Sequence, residues 1–321
     1  MNKMSLQIYI ITTSVILNLI MNNKIFLWMT LEIATISFIS MLIMSKMYNS
    51  SIIYFIISFI SSTILFLGML VYPSANLNML IMVGILIKTA MFPFNYWFNL
   101  MSKSLNYLNL GMLMTLMKFI PLNIMHLMIE MNQFLLPVII TSMIMSPIMT
   151  INKYSLKLIL SYSSIHQTSL MMMMMYMNFY MFIMYFSLYT MVTMNLVILL
   201  NKSSNTLKYE YNSINKKNKI IYFLYMIVYS YFPPMSTFIL KWTLIENMIL
   251  MNNKYSLAAI VVMLSSFVMI WSYLNFMNNN IYKYNNFNKM FKEKSSMNTQ
   301  KKLFMIWMMT LASLMYMYFN F

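Results

Sequence analysis

Residues 81–94 read IMVGILIKTAMFPF, with Lys88 in the middle of an apolar run and Pro93 five residues behind it. A helix rises ~1.5 Å per residue, so a lysine at the centre of such a span lies ~15 Å from either interface, too far for its side chain to reach water. A charge at the bilayer centre costs at least ~2.5–3.5 kcal/mol, and such residues usually line proton or ion paths. The pattern recurs. Lys118 lies in MLMTLMKFIPL, Lys241 in MSTFILKWTLI, and Glu32 in FLWMTLEIATISF. Four ionisable residues at the middle of apolar runs point to charge movement through a membrane.

The whole chain supports a membrane setting. It has 321 residues, 61% of them hydrophobic and only 8% charged, whereas a soluble domain carries ~25% charged residues. Such a chain has too little polar surface to face water on all sides. The predicted fold class is therefore an all-α polytopic membrane protein, a single membrane domain over 1–321. There is no cysteine, so disulfides and thiolate metal sites are excluded. All basic residues are Lys and all acidic ones Glu, with Met at 45 and Gly at three. That usage fits an AT-rich animal mitochondrial genome in which ATA is read as Met. The net charge of +16 is placed in short loops, so it argues for a membrane and against nucleic acid. No cleavable presequence pattern is expected at the N-terminus.

Spanning takes ~20 apolar residues. That rule predicts helices at 4–21, 25–44, 52–72, 78–99, 106–128, 133–151, 156–176, 178–200, 220–251, 255–276 and 302–319, about eleven. The segment 220–251 is long and holds Pro233-Pro234, so it is expected to cross as two half-helices. If the loops alternate sides, sixteen lysines fall on the side of the N-terminus and only Lys24 and Lys254 on the other. This asymmetry matches the positive-inside rule and places the N-terminus inside and the C-terminus outside. Loops 201–219 and 277–301 read as solvated connectors, or as contacts to a partner subunit or anionic lipid. The run Met171–Met175 reads as lipid-facing or as packing filler.

Burial in low dielectric opposes a charged ammonium, and a nearby carboxylate supports it. A lysine between these influences exchanges a proton readily, as a relay requires; the plainer alternative is a static buried ion pair. Prolines accompany the lysines: Pro93, Pro121, and Pro233 with Pro234. Broken membrane helices build midplane sites in transporters. Glu246 reads as a partner of Lys241 or as a cap at the interface. His166, among hydroxyls in SYSSIHQTSL, reads as a relay element or as a satisfied buried histidine. His126 reads as packing. No phosphate loop, metal cluster or haem-type histidine pair is present.

At these residues the chain resembles the subunit 2 family of mitochondrial NADH dehydrogenase (respiratory complex I), one of its antiporter-like membrane subunits. WMTLEIATISFI (28–39) is similar to the W-x-x-LE-x segment and gives Glu32. LIKTAMFPFNYWF (86–98) is similar to K-x-x-x-x-PFH-x-W and gives Lys88. LMTLMKFIPL (113–122) gives Lys118, NKYSLKLILSYSSIHQTSLM (152–171) matches the serine-rich segment, and YFPPMSTFILKW (231–242) gives Lys241. Asn95, Leu116, Gln167 and Ser169 depart from the pattern, as do Tyr231 and Ser236. The histidine of the serine-rich segment stands one place early, at His166.

The resemblance implies an antiporter-like fold with broken helices, lacking three N-terminal helices of the bacterial form, and an insect source. It implies a core subunit of a proton-translocating NADH:ubiquinone oxidoreductase in the mitochondrial inner membrane, N-terminus in the matrix and C-terminus in the intermembrane space. Glu32, Lys88, Lys118 and Lys241 would form the proton relay, joined by His166. No cofactor is expected in this chain: NAD, FMN, iron–sulfur clusters and ubiquinone would be bound by other subunits. A structural phospholipid such as cardiolipin is compatible with it. Partners would be subunit 4, subunit 4L and accessory subunits, within the lipid bilayer. The rival readings are a free-standing ion/proton antiporter and a purely structural membrane spacer.

Overall fold

A computed structural model describes residues 3–70, 78–128, 134–151, 153, 155–204, 226, 228–229, 236–251 and 253–281. The expected helix at 302–319 and the Pro233-Pro234 break lie outside the described residues, as do most of loops 201–219 and 277–301.

Twelve helices are described. They are α1 (Lys3–Ile20), α2 (Lys24–Met44), α3 (Tyr48–Leu70), α4 (Asn78–Thr89), α5 (Tyr96–Ser104) and α6 (Tyr107–Met114). After them come α7 (Leu116–Met128), α8 (Leu135–Thr150), α9 (Leu156–Met177), α10 (Phe179–Ser204), α11 (Ser236–Met251) and α12 (Asn253–Ile281). Among the described residues, five stretches are long and apolar enough to cross a membrane: 24–44, 48–70, 107–128, 179–201 and 255–276. The protein is an all-helical, multi-pass membrane protein. In lipid every backbone polar group must be satisfied within the segment, which the helix does by itself.

The faces are sorted as lipid dictates. On α3, Ser51, Ser58, Ser61 and Ser62 point inward while Ile52, Phe55, Phe59 and Ile60 point outward. Small inward residues let backbones approach, since lipid tails offer no hydrophobic drive for packing. Gly84 of α4 shows the limit: a Cβ there would lie 2.6 Å from Leu65 Cγ and 3.0 Å from the Ser61 carbonyl oxygen. The inward hydroxyls mostly bond back to their own helix, as Ser61 Oγ does to the Ser58 carbonyl at 2.9 Å.

Two of the expected spans are split. The predicted helix 78–99 ends at Thr89 and restarts at Tyr96. Ala90 takes a left-handed φ of 57°. Its amide donates to the Ile87 carbonyl and that of Met91 to Leu86, a Schellman closure. The predicted helix 106–128 breaks at Thr115, not at Pro121, which lies inside α7. A proline frees the carbonyl four residues back; here the Thr115 hydroxyl, donating to the Gly111 carbonyl at 2.8 Å, closes the turn further upstream.

α7 and α9 occupy the centre. α7 packs on α1, α2, α4, α6 and α9, and α9 on α5, α8, α10, α11 and α12 as well. The run Met171–Met175 is fully buried in α9, so of the two readings packing is the one found.

Candidate functional site

The split of α4 from α5 puts Lys88 in the last turn of a half-helix. A cation is favoured there by the carbonyl dipoles. Its Nζ lies 3.6 Å from Glu32 Oε1 on α2, an ion pair looser than a hydrogen bond. The Lys88 side chain is 6% exposed and that of Glu32 26%. Thr35 Oγ1 donates to a carboxylate oxygen of Glu32 at 3.5 Å. At the break Trp97 Nε1 donates to the Ile87 carbonyl at 3.1 Å.

The break at Thr115 puts Lys118 in the first turn of the next half-helix, the end whose dipole opposes a cation. Lys118 is 2% exposed. Its Nζ donates to the Ser164 hydroxyl at 3.2 Å and to the Ser164 carbonyl at 3.3 Å. It also lies 4.6 Å from the centre of the Phe98 ring. Among the described residues no carboxylate pairs with it. Lys88 and Lys118 both line a cavity of about 10 Å³, with Tyr54, Leu113 and Pro121 among others, near the size that one water needs.

α9 continues the polar row. Ser161, Ser163, Ser164, His166, Gln167 and Ser169 are all fully buried. Ser161 Oγ donates to Asn99 Oδ1 at 2.9 Å. His166 Nε2 meets Ser265 Oγ of α12 at 3.0 Å. Lys241 of α11 is 2% exposed and close enough to His166 for their charges to interact. The site therefore brings together Glu32 with Lys88, Lys118 with Ser164, and His166 with Lys241. Gln167, one place on, accepts a hydrogen bond from the Tyr185 hydroxyl.

Glu246 does not join Lys241. It is exposed, and five residues carry it about 140° round the helix from the buried lysine. His126 stacks on Phe179 with ring centres 4.3 Å apart, as a packing residue does. Glu130 lies outside the described residues.

One constellation escapes sequence reasoning. Asn123 of α7 donates to the Asn18 side-chain oxygen at 2.9 Å and to its carbonyl at 3.0 Å, and Asn18 Nδ2 donates to Thr30 Oγ1 at 3.0 Å. Asn18 thus ties the helix of Lys118 to that of Glu32. The available signal was a lone asparagine in each of two apolar runs.

The chain matches the family described as NADH:quinone oxidoreductase/Mrp antiporter, transmembrane, over residues 72–269. It is 32% identical over 293 residues to NADH-ubiquinone oxidoreductase chain 2 of Apis mellifera ligustica, covering 87% of each chain. It is 26% identical to NADH-ubiquinone oxidoreductase chain 2 of Anopheles gambiae, covering 90% of this chain and 92% of that one. Its fold is similar to a chain of the Mrp complex from Dietzia, with a TM-score of 0.72 and 15% identity, over 85% of this chain and 59% of that one.

Proposed function

This chain belongs to the NADH:quinone oxidoreductase/Mrp antiporter transmembrane family, and we propose that it is a core membrane-arm subunit of a proton-translocating NADH:ubiquinone oxidoreductase. It carries protons across the mitochondrial inner membrane, while NADH oxidation and quinone reduction occur in other subunits. NAD, FMN, iron–sulfur clusters and ubiquinone are held there. The lysine asymmetry supports an N-terminus in the matrix and a C-terminus in the intermembrane space. Its neighbours are subunit 4, subunit 4L and accessory subunits, and the basic inner loops suit an anionic phospholipid such as cardiolipin.

The observation that carries the reading is the row of buried groups across the bundle. Glu32 and Lys88 form an ion pair at 3.6 Å at one end of the row. Lys118, free of any carboxylate among the described residues, is the central carrier and rests on Ser164. His166 and Lys241 take the proton onward. A proton reaching Lys118 places a second positive charge on the wall of the small cavity that Lys88 also lines. That repulsion loosens Lys88 from Glu32, so the sites load in turn.

The test is Lys118→Ala in the intact complex, reconstituted in vesicles. Assembly is expected to persist, with quinone reduction and proton output both strongly reduced. Normal turnover with a normal proton-to-electron ratio would leave this subunit a membrane spacer.

A further inference from the structure

Three tyrosines meet beside α9, and none belongs to the row described above. Tyr189 comes from α10, Tyr229 from the segment before α11, and Tyr273 from α12; all three are buried. The Tyr189 and Tyr229 rings are stacked with centres 6.3 Å apart, and Tyr229 meets Tyr273 edge-on at 5.6 Å. The hydroxyls of Tyr189 and Tyr273 lie close enough to that of Tyr229 to interact with it electrostatically. The Tyr229 hydroxyl in turn lies 3.0 Å from Ser163 Oγ. Ser163 spends its own proton on the Leu160 carbonyl at 2.8 Å, so Tyr229 is the donor in that bond.

Packing alone asks for the rings and not for the hydroxyls. A phenol buried at membrane depth costs desolvation unless its polar end is partnered, and phenylalanine fills the same space without that cost. Each tyrosine hydroxyl both donates and accepts, so a cluster of them passes a proton by exchanging bonds without forming a net charge.

The position is informative. Ser163 is next to Ser164, which holds Lys118, and three residues before His166. On α12, Tyr273 lies eight residues past Ser265, about 12 Å along the helix axis. The cluster therefore leaves the row between Lys118 and His166 and heads for the membrane face where α9 begins and α12 ends.

We propose that Ser163, Tyr229, Tyr273 and Tyr189 form a hydroxyl branch that delivers protons from that face to the middle of the row. The proposal rests on the proton-carrier reading given above. In each transfer Tyr229 gives its proton to Ser163 Oγ as Ser163 releases its own to the neutral Lys118 amine. Tyr273 or Tyr189 reprotonates Tyr229 and is itself reprotonated by water at the membrane face, so every hydroxyl ends as it began. Lys118, on a flexible four-carbon stem, collects the proton by turning from Ser164 to its neighbour.

The experiment compares Tyr229→Phe, Tyr273→Phe and Lys118→Ala in the intact complex in vesicles, with exposed Tyr96→Phe as a control. Both branch variants keep their rings, so assembly is expected to hold. Proton-coupled turnover should fall on the order of tenfold, what one lost hydrogen bond is worth, with a larger solvent deuterium isotope effect. The Tyr96→Phe complex should match the unaltered one. If Tyr229→Phe assembles poorly, Tyr273→Phe alone decides. Normal turnover and isotope effect in an assembled branch variant, beside a failing Lys118→Ala, overturn the branch and leave the carrier reading standing. A normal Lys118→Ala complex overturns both.

Discussion

Lys88 and Lys118 line one small cavity, yet they are held in opposite ways. Lys88 closes a half-helix, where the dipole favours a cation, and has a carboxylate at 3.6 Å. Lys118 opens a half-helix, where the dipole opposes a cation, and among the described residues it rests on Ser164 and the face of Phe98. The first arrangement holds charge and the second tolerates its coming and going. The difference suits a coupled pair that sets a field and a carrier that responds to it.

That contrast breaks most sharply under neutral replacements. Lys88→Met strands the carboxylate of Glu32, and breaking a buried ion pair on one side costs about 3–5 kcal/mol; the part-exposure of Glu32 favours the lower end. Lys118→Met removes a buried charge that has no ionic partner and fills nearly the same volume, so stability should hold or rise. Both complexes should lose proton-coupled turnover, on the order of 100-fold. Heat inactivation of the assembled complexes separates them, and equal losses of stability would erase the distinction. The double variant Glu32→Gln/Lys88→Met should regain most of the stability lost by Lys88→Met and none of its activity. Recovered proton output there would mean that the pair is structural.

A smaller effect is expected at Ser164→Ala. Lys118 keeps the Ser164 carbonyl at 3.3 Å and loses the hydroxyl at 3.2 Å. A hydrogen bond to a charged group is worth about 1.5–3 kcal/mol, so turnover should fall about tenfold or somewhat more, with Ser164→Thr restoring much of it. If the alanine and threonine complexes behave alike, the hydroxyl is not what holds the carrier.

The four charged residues were legible because an ionisable side chain in an apolar run stands out whatever surrounds it. Their pairing was less so. Glu32 and Lys88 are brought together because α2 and α4 both pack on α3 and on α7, which no local pattern encodes. The span 106–128 was expected to be disturbed at Pro121, after Lys118, and instead parts at Thr115, before it. Proline announces a lost amide, but where the helix parts depends on which nearby group donates to the freed carbonyls. The serine row of α9 showed as a weakly apolar stretch, without telling which hydroxyl meets a lysine. Asn18 and Asn123 gave no warning, because their bond spans 105 residues of sequence.

The smallest effect that still bears on the contrast is at Phe98. Its ring face lies 4.6 Å from the Lys118 ammonium, and a desolvated contact of this kind is worth about 2 kcal/mol when the cation is charged and little when it is neutral. Phe98→Leu keeps the apolar packing and removes the ring's negative face. If Lys118 passes between charged and neutral states during turnover, the ring supports only one of them. Turnover should then fall a few-fold, while stability drops by no more than the lost packing. Lys103→Ala, an exposed charge at the end of α5, sets the background and should change neither. A Phe98→Leu complex indistinguishable from Lys103→Ala in turnover would mean that Lys118 does not rely on the ring during turnover, and the contrast with Lys88 would then rest on the serine and the helix ends alone.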